Sequence, residues 1–214
     1  MKMIWLLATL SLFASAHSAK ADVLFNNLGA TVCCESPIAS GTPYGDSFST
    51  STSAFDFNSL TVTLYADHGV PPAGLTITAL LLSDSSTSPG SVLETIGSVD
   101  EDTLPSMVHV QYTFSPSPYL LAPDTRYWIE LTSNDTTGSL AWVQWDSSAD
   151  LSGTIGTSGE YWSANEGAST SVFADGTNGG PLLMEVANVP EPASLAMFAA
   201  ALTGFGFLSR LRRS

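Results

Sequence analysis

The chain has 214 residues and a formal net charge of −14 at neutral pH, from 20 acidic and six basic side chains. Only one of the basic residues, Arg126, lies between Asp22 and Asn188, an interval of 167 residues that holds 19 of the acidic ones. Nineteen acids against one base give this interval a charge of −18, which argues strongly against binding to the phosphates of nucleic acids. Its length suffices for one domain with a sizeable core.

The first 21 residues have the pattern of a secretory signal peptide. Lys2 supplies a positive start, and residues 4–14 are apolar apart from Thr9 and Ser11. This run is too short for a spanning helix and is followed by small residues suited to cleavage, after either Ala16 or Ala21. We prefer cleavage after Ala21, because a strand-like segment begins at the next residue.

Short strands separated by turns are predicted from residue 22 onward. Apolar and polar residues alternate with a period of two, most clearly at 60–64, 108–114 and 127–131. The other predicted strands are 22–28, 46–50, 75–82, 92–99, 140–145, 160–163, 170–173 and 182–186. About ten to twelve short strands with turns about every 8–12 residues predict an all-β fold, an antiparallel and jelly-roll-like β-sandwich.

The order of segments from Ser47 to Trp145 resembles the choice-of-anchor domains of bacterial surface proteins, the R type most closely. The resemblance depends mainly on residues 120–131, LLAPDTRYWIEL, where Pro123 and Asp124 replace the small or Asn residues that are commoner. It implies a β-sandwich carried together with one of several C-terminal sorting tails. It implies no catalytic residues.

The sequence carries no recognisable catalytic motif. It contains neither a Gly-x-Ser-x-Gly elbow nor a phosphate-binding loop, His68 lies in a turn-like segment, and His109 takes an outward strand position. We therefore expect no enzyme. A secreted hydrolase remains an alternative, because pairs of carboxylates such as Glu160 and Glu166 could converge in space.

Acidic loops offer a weak calcium site. Asp100, Glu101 and Asp102 are consecutive, and Asp146 and Asp150 lie in one short segment. Oxygen ligands in short loops suit calcium, although neither group has the spacing of an EF-hand. We otherwise expect no cofactor, only nonspecific screening of the acidic domain by divalent cations.

Four aromatic residues could contact carbohydrate: Trp142, Trp145, Tyr161 and Trp162. Large aromatic side chains also dominate the core of small sandwiches, so a structural role competes with this one. Trp142 and Trp145 would point to opposite faces of a strand at 140–145, which places at most one of them in the core.

Two adjacent cysteines, Cys33 and Cys34, are the only ones in the chain. A bridge between neighbours strains the peptide that joins them. Free thiols are therefore expected, and a disulfide between two chains remains open.

The last 26 residues form a segment of three parts. It begins with Val189, Pro190, Glu191 and Pro192, continues through the uncharged run 193–209, and ends with Arg210, Arg212 and Arg213 before Ser214. The two prolines prevent regular structure at the start. A 17-residue run at about 1.5 Å per residue is near the short limit for spanning a bilayer core of about 30 Å. The arginines would keep their end in the cytoplasm.

This arrangement closely resembles the PEP-CTERM protein-sorting signal of Gram-negative bacteria that produce exopolysaccharide. The resemblance implies recognition by a membrane-embedded exosortase, which removes the helix and passes the protein to the cell surface.

The sequence therefore predicts three parts: a signal peptide (1–21), a choice-of-anchor-like β-sandwich (22–188) and a sorting tail (189–214) with a transmembrane helix. We expect a precursor exported through the inner membrane and held there transiently by the tail. After processing it would reach the cell surface or the exopolysaccharide matrix, in a non-enzymatic structural or adhesive role. A carbohydrate-binding module for the matrix polysaccharide is the first alternative, and the secreted hydrolase is the second.

Overall fold

Alternating apolar and polar residues pair into antiparallel sheets. The computed structural model describes residues 21–67, 69, 71–136, 142–148, 161–166, 169–174 and 181–189, with the backbone alone for 161–166 and 169–174. These residues belong to one compact unit, Ala21–Val189.

The described residues form strands and a single turn of 3-10 helix, Glu101–Thr103. The strands are β1 (Asp22–Asn26), β2 (Cys34–Pro37), β3 (Tyr44–Ser49), β4 (Phe55–Phe57), β5 (Ser59–Ala66), β6 (Thr76–Asp84), β7 (Pro89–Asp100), β8 (His109–Phe114), β9 (Tyr119–Leu121), β10 (Arg126–Ser133), β11 (Val143–Ser147), β12 (Tyr161–Glu166), β13 (Ser169–Ala174) and β14 (Met184–Asn188).

Two six-stranded sheets contain most of the strands. Sheet I has the order β1-β14-β5-β11-β2, with β8 also paired to β5, and sheet II has the order β13-β12-β3-β10-β6-β7. A short ribbon joins β4 to β9. Every one of these strand pairs is antiparallel, which confirms the all-β, antiparallel prediction.

One hydrophobic core joins residues of both sheets. Leu60, Val62 and Leu64 of β5 lie in the same buried cluster as Ile129 and Leu131 of β10. Period-two alternation predicts these inward positions, because successive side chains of a strand point to opposite faces. Full burial of such a side chain contributes about 1.5–3 kcal/mol, so the packed inner faces hold the sandwich together.

The strand β8 is less buried than its alternation predicts. Phe114 is buried, Val110 and Tyr112 are half-buried, and Val108, just before the strand, is 53% exposed. Among the described strands, β8 pairs only with β5. The N-terminal end of β8 therefore lacks the burial that a second neighbouring strand would give.

Strands β2, β4 and β9 have no clear signal in the sequence. The residues of β2, Cys34–Pro37, show no apolar alternation, and the strand exists because its backbone pairs with β11. The strands β4 and β9 have three residues each and pair with one another. Segments this short carry too few residues for a periodic signal.

The part of the chain that the structure describes contains no helix with the length and apolarity needed to cross a bilayer. The predicted signal peptide, except Ala21, and the predicted spanning segment 193–209 lie outside the described residues. Both remain predictions.

Candidate functional site

The described sandwich ends where the predicted sorting tail begins. Strand β14 finishes at Asn188, and the next residue, Val189, is held at both backbone groups by Asn58. The Val189 N–H donates to Asn58 Oδ1 at 2.7 Å, and Asn58 Nδ2 donates to the Val189 carbonyl at 2.9 Å. The other tail residues predicted to act in sorting lie outside the described residues: Pro190, Glu191, Pro192, Arg210, Arg212 and Arg213.

Three titratable side chains of sheet I meet on its outer face. The register of β2 and β11 places Glu35 directly opposite Asp146. The register of β5 and β8 places His109 beside Tyr65. Trp145 points into the core, so Asp146, the next residue of the strand, points to the outer face. We refer to Glu35, His109 and Asp146 as the outer cluster.

A histidine–carboxylate contact forms the centre of the outer cluster. His109 Nδ1 lies 2.8 Å from Asp146 Oδ2. The His109 side chain is 44% exposed, whereas the Asp146 side chain is fully buried. Burial raises the pKa of Asp146, the hydrogen bond and charge of His109 oppose that rise, and the charge of Glu35 adds to it. The site therefore combines a buried carboxyl group with an imidazole open to solvent.

One oxygen of the buried carboxyl group lacks a partner. Asp146 Oδ1 is buried and makes no hydrogen bond with the described residues. A buried polar atom that has lost its water without gaining a partner costs about 1–3 kcal/mol. This oxygen therefore keeps an unused capacity to accept a hydrogen bond or to bind a cation.

A neighbouring aromatic ring holds the histidine in place. The Tyr65 and His109 rings are stacked, with centroids 4.6 Å apart and planes 25° from parallel. The Tyr65 hydroxyl contacts the Met107 sulfur at 3.7 Å. Stacking on one face and the bond to Asp146 at Nδ1 together limit rotation of the imidazole.

The outer cluster has the chemical composition of a metal site. One donor atom from each of its residues can be chosen so that all lie within 4.8 Å of one another. An imidazole nitrogen with two carboxylate oxygens suits several divalent metal ions. No other group of at least three such side chains is found among the described residues.

The predicted calcium residues are not brought together. Glu101, the first residue of the 3-10 turn, is buried, whereas Asp100 before it and Asp102 after it are exposed. Asp146 meets His109 and Glu35, and Asp150 lies outside the described residues. Asp100, Glu101 and Asp102 do not form a group of metal-binding side chains among the described residues, and the calcium site stays a prediction.

Glu101 instead belongs to a buried polar group. Its Oε1 accepts a hydrogen bond from Ser133 Oγ, which in turn accepts one from the Asp135 N–H at 2.9 Å. Glu101 Oε2 has no partner among the described residues. Burial raises the pKa of Glu101, the Ser133 bond opposes this rise, and the charge of Asp135 adds to it.

The aromatic residues predicted to contact carbohydrate have different environments. Trp145 is fully buried and its indole N–H donates to the Leu183 carbonyl at 3.0 Å, so no ring face remains for a sugar. Trp142 is half-buried and packs against the core. Tyr161 and Trp162 lie on β12, and their side chains lie outside the described residues.

The cysteines lie at the start of the edge strand β2. Cys33 and Cys34 are both free and exposed, and their sulfur atoms are 2.6 Å apart. The Cys33 hydrogen bond and then burial raise the pKa of the Cys34 thiol. This agrees with the expectation of free thiols within one chain.

Two members of the outer cluster were not predicted as ligands from the sequence. Glu35 gives no signal, because its strand lacks alternation, and His109 was identified only as an outward residue. The outward position of His109 is confirmed by its exposure. No local pattern could have joined residues 35, 109 and 146, because the register of separate strands brings them together.

Comparison with known proteins identifies the tail. Residues 188–213 match the family model described as the PEP-CTERM protein-sorting motif. A comparison with curated proteins gave no match. The sandwich agrees with the fold that the choice-of-anchor resemblance implies, and the R-type assignment remains a prediction. The tail match implies exosortase-dependent sorting of an exported protein that is anchored in a membrane before processing.

Proposed function

We propose that this protein is a non-enzymatic component of the cell surface or exopolysaccharide matrix, delivered there by exosortase processing of its tail. The match of residues 188–213 to the sorting motif is the observation that carries the proposal. It connects the chain to an export route, and the sandwich is the part that would be displayed.

The position of the motif supports cleavage without loss of the domain. The last strand, β14, ends at Asn188, and Asn58 holds Val189 just before the Pro-Glu-Pro sequence. A cut beyond Val189 would therefore leave every described strand in the displayed part. The displayed part would fold without the tail.

The surface charge supports a role in a hydrated matrix. Exposed carboxylates occur on several strands and loops: Asp22, Glu35, Asp56, Asp100, Asp102 and Asp124. A strongly negative surface keeps a protein soluble and attracts divalent cations. Such cations can bridge it to anionic polysaccharide.

The burial of Glu101 argues against this carboxyl group as a general acid. Glu101 has a raised pKa, as a general acid would, but it is fully buried. General acid catalysis requires the carboxyl group to lie within hydrogen-bonding distance of a substrate. The raised pKa of Glu101 therefore has a structural origin.

Intact mass spectrometry of the protein from the envelope and medium of its native host tests the sorting step. We expect a mass that lacks an N-terminal segment of 16 or 21 residues and a C-terminal segment beginning near Pro192. Replacement of Pro190, Glu191 and Pro192 by Ala should leave the C-terminal segment attached. A matched control, Asp56→Ala, removes an exposed carboxylate from the sandwich and should leave processing unchanged.

A host strain that makes no exopolysaccharide tests the destination. A matrix component should then move from the cell-associated fraction to the medium, with its processed mass unchanged. Retention of Arg210–Ser214 in the mature protein would refute exosortase processing. An unchanged distribution between cells and medium would refute the matrix role alone.

A further inference from the structure

We propose that Glu35, His109 and Asp146 form a binding site for a divalent transition-metal ion, with Zn²⁺ as the representative ion. The site lies on the outer face of sheet I, where β2, β8 and β11 bring the residues together. It is independent of the sorting tail.

The distances within the outer cluster suit coordination after small movements. Two ligands about 2.1 Å from one Zn²⁺ ion at a tetrahedral angle are about 3.4 Å apart. His109 Nδ1 and Asp146 Oδ2 are 2.8 Å apart, so the distance between them must increase by about 0.6 Å to admit the ion. The ion would replace the hydrogen bond between these two atoms.

Glu35 can complete the site through side-chain rotation. The chosen donor atoms of the three residues lie within 4.8 Å of one another. Glu35 is exposed and lies on β2, the edge strand of sheet I, so its side chain can rotate without repacking the core. Its carboxylate therefore approaches the ion from the solvent side.

The unpaired oxygen of Asp146 is a second and independent indication of a ligand. Asp146 is fully buried, yet its Oδ1 has no hydrogen-bond partner among the described residues. Most buried polar atoms in proteins are hydrogen-bonded, so an unpaired one needs an explanation. A metal ion at this carboxylate would compensate for the lost hydration and fix the carboxyl group in its charged form.

The ligand types favour zinc and similar ions over calcium. Calcium binds six to eight oxygen atoms, whereas imidazole suits zinc, copper, iron and nickel. His109 supplies the nitrogen, and its stacking on Tyr65 holds the ring in one orientation. Three protein ligands leave one position of a tetrahedral ion for water or an external oxygen ligand.

Calorimetric titration of the protein purified from its native host with Zn²⁺ tests the site. We expect one equivalent to bind, and Ca²⁺ to bind this site far more weakly. His109→Gln and Glu35→Gln should each lower the affinity by more than about 100-fold, since loss of even an outer-shell partner costs about 10–100-fold. Both residues are solvent-accessible, so these variants should fold even if Asp146→Asn does not.

The control Asp56→Asn removes one exposed charge away from the outer cluster. If Asp56→Asn and Glu35→Gln weaken zinc binding equally, the attraction is nonspecific and the proposal is wrong. Equal affinity for Ca²⁺ and Zn²⁺ would also overturn it.

Cys33 and Cys34 are the alternative zinc ligands that a further test must distinguish from the outer cluster. Substitution of Cys33 and Cys34 by Ser should leave zinc affinity unchanged. X-ray absorption should show nitrogen and oxygen ligands at about 2.0–2.2 Å and no sulfur at about 2.3 Å. Loss of binding in the double Ser variant, or a sulfur ligand in the spectrum, would transfer the site to the cysteines and refute the proposal.

Discussion

Asn27 joins β1 to the segment that leads into β14 and provides a quantitative test of how burial affects hydrogen-bond energy. Its Nδ2 donates to the Leu182 carbonyl at 3.0 Å, and its Oδ1 accepts from the Met184 N–H at 2.7 Å. All three residues are buried. Replacement of Asn27 by Ala would leave two backbone groups without a partner and out of reach of water.

The expected loss of stability follows from these two groups. Each buried and unsatisfied group costs about 1–3 kcal/mol, so Asn27→Ala should lower the free energy of unfolding by about 2–6 kcal/mol. That is a large share of the total stability of a domain, which is about 5–15 kcal/mol.

Asn134 is the matched control. It also makes two side-chain hydrogen bonds to the backbone, from the Thr76 N–H at 2.8 Å and to the Gly74 carbonyl at 3.0 Å. Asn134 is exposed, so water can replace both bonds in Asn134→Ala. We expect a loss of only about 1–3 kcal/mol from two net hydrogen bonds.

Equilibrium unfolding in urea measures both variants. Trp128 and Trp145 are fully buried, so their fluorescence should follow the transition. The slope m should stay constant while the midpoint falls, since the exposed area on unfolding is unchanged. Equal losses for the two variants would refute the argument that desolvation, rather than the number of hydrogen bonds, sets the cost.

Three further predictions concern stability. Burial raises the pKa of Glu101, so the stability that Glu101 contributes is fully present below the unfolded pKa near 4.5 and is lost as pH rises through the folded pKa. Urea unfolding at pH 4.5 and 7.5 should show that Glu101→Gln reduces this loss of stability. The exposed control Asp102→Asn should not reduce it. Trp145→Phe removes one of two donors to the Leu183 carbonyl, which keeps the bond from the Thr63 N–H at 3.1 Å, so the lost bond should cost about 0.5–1.5 kcal/mol in urea, without changing polysaccharide retention of the folded protein. Gly41 has a φ of +79° and open space around its missing Cβ, so Gly41→Ala should cost about 1–2 kcal/mol in thermal unfolding through backbone strain alone, and an unchanged melting temperature would contradict this.

The long alternating strands were predictable, because their signal is local. Leu60, Val62 and Leu64 show their inward face in the sequence itself, and the structure buries all three. Alternation alone would turn the neighbouring Thr61 and Thr63 outward, yet both are also buried. Thr61 Oγ1 bonds to Thr113 Oγ1 at 2.9 Å on β8, a contact that depends on strand pairing rather than on alternation.

The candidate metal site was not predictable from the sequence, because it also depends on strand pairing. Asp146 lies four residues before Asp150, and this proximity in the sequence pointed to Asp150 as its partner. The structure gives it His109 and Glu35, from two other strands. A register shift of one residue in either strand would turn the corresponding side chain to the opposite face.

The sequence by itself determined the long alternating strands, the acidic character of the domain and the sorting tail, because each is a property of composition or of neighbouring residues. Only the tertiary structure decided that Trp145 is core, that Glu101 is buried beside Ser133, and that Glu35, His109 and Asp146 meet. These outcomes depend on which strands pair and in which register. Pairing is set by the burial of whole sheet faces, and no short segment of the chain carries that information.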